Sequence, residues 1–456
     1  MRIILAIIIS ISTILNVHSQ NDYQNAIQSF VSQSVLKHAS ISFCLIDIKN
    51  GKIIASYNPD LSLIPASSLK TVTTGTALSL LGKDFQFQTL LQYDGIIKDS
   101  ILDGNIYIKG FGDPTLGSDQ MPNNPDLNSI LDIFAEQIQK LGIKIINGEI
   151  IADATYFESR ATAPTWMYYD IGNYYGAGAY GLNVNENLYK IIFQQKNKIG
   201  ETPAIISIQP EIPDLHFINE LQTAGPHSGD NAYIYGVPYH SNYFLRGTLP
   251  KGNSTFKIKG SIPNPPLFLA QSLTHTLENI NISVCESPTA PFEIPYVKRT
   301  TFYTHYSPKL IDIIHRTNLK SINLFAECIM KELGKGYREN GIKKTIEYWR
   351  TQGLDMDGFH LEDGSGLSPR NAVSSKHLAN ILRKMGFHPD FQAYLSSFPT
   401  LQEGLYAKSG YMDRVRSYTG YIFKNGKEYC YSFIVNNYDE ENKNVKKWMQ
   451  KLLREI

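Results

Sequence analysis

The chain has 456 residues, 42% hydrophobic and 19% charged, and its 43 Lys+Arg against 42 Asp+Glu leave a formal charge of +1. That composition is globular, large enough for several cores at roughly 150 residues per domain, and it excludes a disordered or fibrous chain. It also lacks the cationic excess that neutralises a phosphate backbone, so nucleic acid is not an expected partner.

At the N-terminus Met1 and Arg2 precede the apolar run Ile3 to Leu15 and the small-residue site Val17-His18-Ser19. The run is short for a bilayer span and reads as a secretory signal peptide over residues 1–19, cut after Ser19. No later run approaches membrane length, so no integral membrane segment is expected after cleavage, and export implies a periplasmic location.

A short amphipathic helix follows, with Ile27, Phe30, Val31 and Val35 on one face. Strands Ile41 to Ile48 and Lys52 to Tyr57 flank Asn50-Gly51, which predicts a hairpin with a primed turn. Helical patterning from Ser67 to Leu81 stops at Gly82. Alternating residues from Phe85 to Tyr93 and the run Gly104 to Lys109 read as strands, Leu127 to Leu141 as a helix, and Asn147-Gly148 as another hairpin turn. Residues 166–253 are rich in Tyr, Asn, Gly and Pro, and a helix is expected over Leu267 to Leu277. Ser307 reads as a helix N-cap with Pro308 at the first helical position. A strand from Leu405 to Gly410 precedes a second hairpin, Ser417 to Phe423 and Glu428 to Val435 around Asn425-Gly426. The closing helix carries Val445, Trp448, Met449, Leu452 and Leu453 at helical spacing.

The organisation expected is one α/β (α+β) domain interrupted by β-rich insertions: residues 20–82 and 296–456 form the main domain, 83–165 with 254–295 one insertion, and 166–253 another. Cys44, Cys285, Cys328 and Cys430 are too few for a disulfide framework and read as buried thiols, although Cys44 and Cys430, on strands of one sheet, could pair in an oxidising compartment.

Three short motifs could carry chemistry. Ser67-Ser68-Leu69-Lys70 opens a helix, and one turn puts the Ser67 hydroxyl and the Lys70 amine on one face. An amine there can take the hydroxyl proton once burial or a second cation favours its neutral form. The same spelling at Ser34 and Ser254 makes this motif weak alone. Ser321-Ile322-Asn323 precedes a helix that ends at Gly334, and Lys408-Ser409-Gly410 lies on a strand, its glycine suited to a substrate lying close. No H-E-x-x-H or paired Cys/His spacing offers a metal site, and no G-x-S-x-G elbow exists, so neither metal nor organic cofactor is expected.

S-x-x-K, S-x-N and K-[ST]-G occur here in the order and on the elements that penicillin-binding proteins and serine β-lactamases use. The 254 positions from Ser67 to Ser321, with Gly110-Phe111-Gly112-Asp113-Pro114-Thr115-Leu116, Asn185-Glu186-Asn187 and Asp363-Gly364-Ser365-Gly366-Leu367-Ser368, resemble the low-molecular-mass class C penicillin-binding proteins, the D-alanyl-D-alanine carboxypeptidase/endopeptidase family. The resemblance implies a transpeptidase-like domain, an antiparallel sheet covered by helices, with two inserted domains. It implies peptidoglycan stem peptides as substrate and β-lactams as covalent inhibitors. Catalysis would rest on Ser67, Lys70, Ser321 and Asn323, and substrate binding on Lys408, Ser409, Gly410 and Tyr411. Ser409 replaces the usual Thr and keeps its hydroxyl, Ile322 stands where Asp is common, and Tyr411 replaces a Thr. Either Ser409 and Lys408 alone hold the substrate carboxylate, or the Tyr411 ring turns outward and narrows the pocket. A serine β-lactamase and a non-catalytic peptidoglycan-binding protein on this fold are the alternatives, against which stand the absence of an E-x-x-L-N motif and the presence of all three motifs.

Overall fold

A computed structural model describes residues 22–439 and 444–456. The signal peptide expected over residues 1–19 lies outside the described residues. The chain forms two compact units, one of residues up to Leu80 with Thr317–Ser321 and Ile342–Ile456, the other of Leu81–Arg316 with Ile322–Gly341. Among the described residues, no helix is long and apolar enough to cross a membrane.

The first unit is built on a six-stranded antiparallel sheet in the order Ile53–Tyr57, Ser40–Asp47, Lys427–Asn436, Val415–Lys424, Leu405–Met412, Thr400–Gln402. Its central strands alternate large apolar residues, so each face can be buried. One face carries Phe43, Leu45, Tyr418, Tyr431, Phe433 and Val435, packed in a core with Ile27 and Phe30 and with Val445, Met449, Leu452 and Leu453 of the helix Val445–Glu455. The other is covered by the helix Ser375–Met385, whose start is a capping box: Ser374 Oγ accepts from the His377 N–H and His377 Nδ1 accepts from the Ser374 N–H.

The two hairpins of this sheet turn differently. Asn425 and Gly426 both have positive φ, 52° and 72°, the primed turn expected. At Asn50-Gly51 only Gly51 is left-handed, and pairing resumes at Ile46 opposite Ile53 through a bulge, so this connection is a longer loop and not a two-residue primed turn. The Asp47 carboxylate accepts the Asn50 N–H, and the Asn50 side chain accepts the Lys52 N–H, which stabilises the longer path.

The second unit holds four small sheets on a core of its own, with the helices Leu127–Gln139 and Pro265–Asn279 packed together within it. Two local expectations are corrected here. Ile145–Ile146 and Ile150–Asp153 do not form a hairpin. They join different sheets, each pairing in parallel with a distant strand, and Gly148 lies where the chain passes so close to Gly104 and Asn105 that a Cβ would collide. Ser307 does not cap a helix: its Oγ accepts the Phe87 N–H and donates to Pro308 O, and the helix starts at Leu310. The strand Thr255–Ser261, beyond the expected module boundary at 253/254, pairs along its length with Leu188–Gln194.

In this unit the Lys331 side chain is wholly buried, its Nζ donating to Arg160 O and Ala179 O, both at 2.9 Å. Burial, with the nearby Arg338 guanidinium, lowers its pKa to about 7. An unfolded lysine keeps its proton up to ~10.4, so between these values the unfolded state binds more protons and stability rises with pH. Chemical-denaturation midpoints are expected to climb from about pH 7 to about pH 9.5, and Lys331→Met to flatten the climb.

Candidate active site

Ser67 lies in a 3₁₀ turn, Ala66–Leu69, that runs directly into the helix Lys70–Leu81. Ala66, fully buried, has φ +47°, a conformation alanine rarely adopts, and this sharp entry half-exposes Ser67. The helix behind it is buried from Lys70 to Leu78 despite four threonines. Their hydroxyls are satisfied: Thr74 and Thr76 donate to carbonyls one turn back, Thr73 donates to Gly364 O, and Thr76 also accepts from Trp349 Nε1. The helix that follows Ser67 is therefore anchored inside the unit, not on its surface.

Lys70 has no solvent exposure. Its Nζ donates to Ser67 Oγ at 3.0 Å and to Ser365 O at 2.7 Å. The loop supplying that carbonyl is itself fixed by Asp363, whose carboxylate accepts the N–H groups of Gly366 (2.8 Å) and Ser368 (2.6 Å) and the Asn371 side-chain amide (2.9 Å). Gly366 is left-handed and would clash with Ala66 O if it bore a Cβ. The sequence assigns this stretch no task; in the fold it is a cradle that orients Lys70 toward the serine.

The strand Leu405–Met412 completes the arrangement. Only Leu405 and Tyr406 are paired on its outer side, so among the described residues the edge from Ala407 to Met412 has no strand neighbour. Lys408 is buried on the inner face, its Nζ donating to Ser321 Oγ and to Ser409 O, both at 2.8 Å. Desolvation first, and then the nearby Lys70 amino group, push Lys408 well below the usual lysine range. Ser321, with φ +59°, follows the helix Leu310–Lys320 in the left-handed position that ends a helix, and that turn aims its hydroxyl at Lys408. At Gly410 a Cβ would lie under 3.0 Å from Ser417 Oγ, Pro65 O and Ser67 N, so only glycine lets the strand come this close to the turn that holds Ser67. Ser409 is exposed, and the Tyr411 ring turns outward, 60% exposed.

The structure thus gathers Ser67, Lys70, Ser321, Lys408, Ser409 and Gly410 within the first unit. Asn323 belongs to the second, where it opens the helix Asn323–Leu333 and donates from Nδ2 to Tyr175 O at 2.7 Å. Cys44 and Cys430 are both free thiols. Cys44 faces Ser432 and Cys430 faces Ile46, so the two are offset along the strands.

A half-exposed serine hydrogen-bonded to a fully buried lysine, beside a strand edge with no strand neighbour among the described residues, on an antiparallel sheet covered by helices, defines a serine hydrolase of the penicillin-binding class. The chain belongs to the D-Ala-D-Ala carboxypeptidase 3 (S13) family, whose model matches residues 23–456. It is a serine-type D-Ala-D-Ala carboxypeptidase by that membership. It is 24% identical over 384 residues to the D-alanyl-D-alanine carboxypeptidase DacB of Haemophilus influenzae, covering 83% of this chain and 77% of the relative. To a D-alanyl-D-alanine carboxypeptidase of an Actinomadura species it is 25% identical over 451 residues, 90% of this chain and 80% of the relative. The crystal structure of penicillin-binding protein 4 from Haemophilus influenzae superposes with a TM-score of 0.81 at 22% identity, over 94% of this chain and 97% of that one. A second crystal structure of that protein, complexed with a β-lactam, gives a TM-score of 0.76 at 21% identity, over the same shares of the two chains.

Proposed function

We propose that this chain, exported by residues 1–19 to the periplasm, removes the terminal D-alanine of peptidoglycan stem peptides through an acyl-enzyme on Ser67. The observation that carries the reading is the 3.0 Å contact between Ser67 Oγ and the fully buried Lys70 Nζ. With that hydrogen bond reversed, the hydroxyl donating to the amine lone pair, Lys70 takes the proton as Ser67 Oγ attacks the carbonyl carbon between the two D-alanines. Backbone N–H groups of Ser67 and Tyr411 receive the oxyanion. The bond to the leaving nitrogen breaks as Ser321, hydrogen-bonded to Lys408, gives its hydroxyl proton to that nitrogen and takes in its place the proton Lys70 received, and free D-alanine departs with Lys70 neutral again. Asn323 is assigned to the substrate backbone, and Ser409 to the terminal carboxylate. Water then cleaves the ester and restores Ser67.

β-Lactams enter the same path, which suits a family of this class. The experiment is a digestion of purified peptidoglycan with product masses, paired with labelled penicillin. Loss of one D-alanine per stem and a long-lived penicillin adduct are expected. Rapid release of penicillin as its hydrolysed product would favour a β-lactamase instead, and no adduct with no digestion a binding protein. Cleaved cross-links would add endopeptidase activity to the reading.

A further inference from the structure

The motif K-[ST]-G offers Lys408 as the cation for the substrate's terminal carboxylate, but its surroundings suit another task. Its ammonium is committed to Ser321 Oγ and Ser409 O in a fully buried position, where desolvation disfavours its charge. A lysine held that way is a weak counter-ion for a carboxylate.

The opposite face of the same strand, buried at Leu405 and Ala407 but exposed at Ser409 and Tyr411, offers a better one. Alternation places Ser409 and Tyr411 together on the face opposite to Lys408 and Gly410. The register sets Arg416 directly across from Tyr411, and Tyr418 across from Ser409. Arg416 is therefore the diagonal neighbour of Ser409 on that face, a separation that long side chains bridge. The Arg416 guanidinium carbon stands 4.3 Å from the centroid of the Tyr411 ring. Its Nε is buried with no hydrogen-bond partner, and Arg416 makes no ion pair among the described residues. A guanidinium stays charged at any working pH, and its planar fork matches a carboxylate. Stacking on an aromatic face orients that fork without neutralising it.

We propose that Arg416, laid on the Tyr411 ring, receives the terminal carboxylate of the D-Ala-D-Ala substrate beside the Ser409 hydroxyl, an inference that rests on the acyl-enzyme reading above. Tyr411 then acts as a platform in place of a short hydroxyl, and specificity for a free carboxyl end comes from the neighbouring strand.

The test compares a peptide ending in D-Ala-D-Ala as the free acid and as its C-terminal amide. With the otherwise intact enzyme, Arg416→Gln is expected to raise KM for the acid about tenfold or more with kcat much less changed, and to erase the preference for acid over amide. Arg416→Lys is expected to restore part of that preference. Calorimetric binding of both peptides to Ser67→Ala protein, with and without Arg416→Gln, reads the same preference without turnover. An acid preference that survives Arg416→Gln in binding and in KM overturns the proposal. Turnover persisting in Ser67→Ala protein instead overturns the nucleophile assignment, while the binding comparison still decides for Arg416.

Discussion

Ser67→Ala protein is expected to fold as the parent does, to take up no penicillin and to release D-alanine about 10⁴-fold more slowly or worse. The change deletes one half-exposed hydroxyl that is hydrogen-bonded to Lys70, so the buried helix and its threonine bonds are untouched. Everything downstream of nucleophilic attack is lost at once, because acylation by a β-lactam and by a stem peptide both require the same oxygen. Mass spectrometry after penicillin treatment checks the first effect and a D-alanine assay the second. An adduct found on another serine would move the nucleophile elsewhere.

The second large effect is expected from the smallest possible addition. Gly410→Ala inserts a methyl group where Ser417 Oγ, Pro65 O and Ser67 N already meet, two of them backbone atoms at the start of the turn that holds Ser67. Neither the strand Leu405–Met412 nor the turn Ala66–Leu69 can yield cheaply: one is paired with Val415–Lys424 along its whole length and the other is buried. A displacement approaching 1 Å between Ser67 and the strand whose Tyr411 N–H is proposed to receive the oxyanion would slow acylation by about 10²-fold. Overpacking should also lower stability by about 1–3 kcal/mol. Stopped-flow acylation with a fluorescent penicillin and a urea titration measure the two separately. Unchanged acylation together with unchanged stability would mean that the strand does not need to approach the serine this closely.

Much of the sheet was legible because its signals are local. The alternation in Val415–Lys424 and Lys427–Asn436 and the Asn425-Gly426 turn predict that hairpin with its turn type, and the three motifs predict the elements on which Ser67, Ser321 and Lys408 sit. Local signals failed where a residue's partner is distant in the chain. Ser307 has the spelling of a helix cap, yet its hydroxyl is taken by the backbone of Phe87, 220 positions away. Asn147-Gly148 has the spelling of a hairpin turn, but the flanking strands find better neighbours in separate sheets. The same holds at the site. Nothing in the spelling of Asp363 to Ser368 tells that its Ser365 carbonyl will hold Lys70, and Arg416 becomes visible only once strand register sets it against Tyr411.

The sheet order also dictates when the enzyme can come into being. Ser40–Asp47, made well before its later partner, lies between Ile53–Tyr57 and Lys427–Asn436, and residues paired across the latter, from Asp47 with Tyr429 to Ser40 with Asn436, are 382 to 396 positions apart. At about 5–20 residues per second that partner emerges roughly 20 to 80 s later. Through that interval an apolar strand, six of whose eight residues end up buried, presents an open edge suited to pairing with another chain. Closing so long a loop also carries an entropic penalty of about 5 kcal/mol, which local hairpins do not face. The C-terminal hairpin can form in microseconds once it is made, and it brings the template for Ser40–Asp47 together with the strand that bears Lys408 and Gly410. Completing the core and arming the serine are thus one late event, and a chain truncated before that hairpin would leave Ser67 without either.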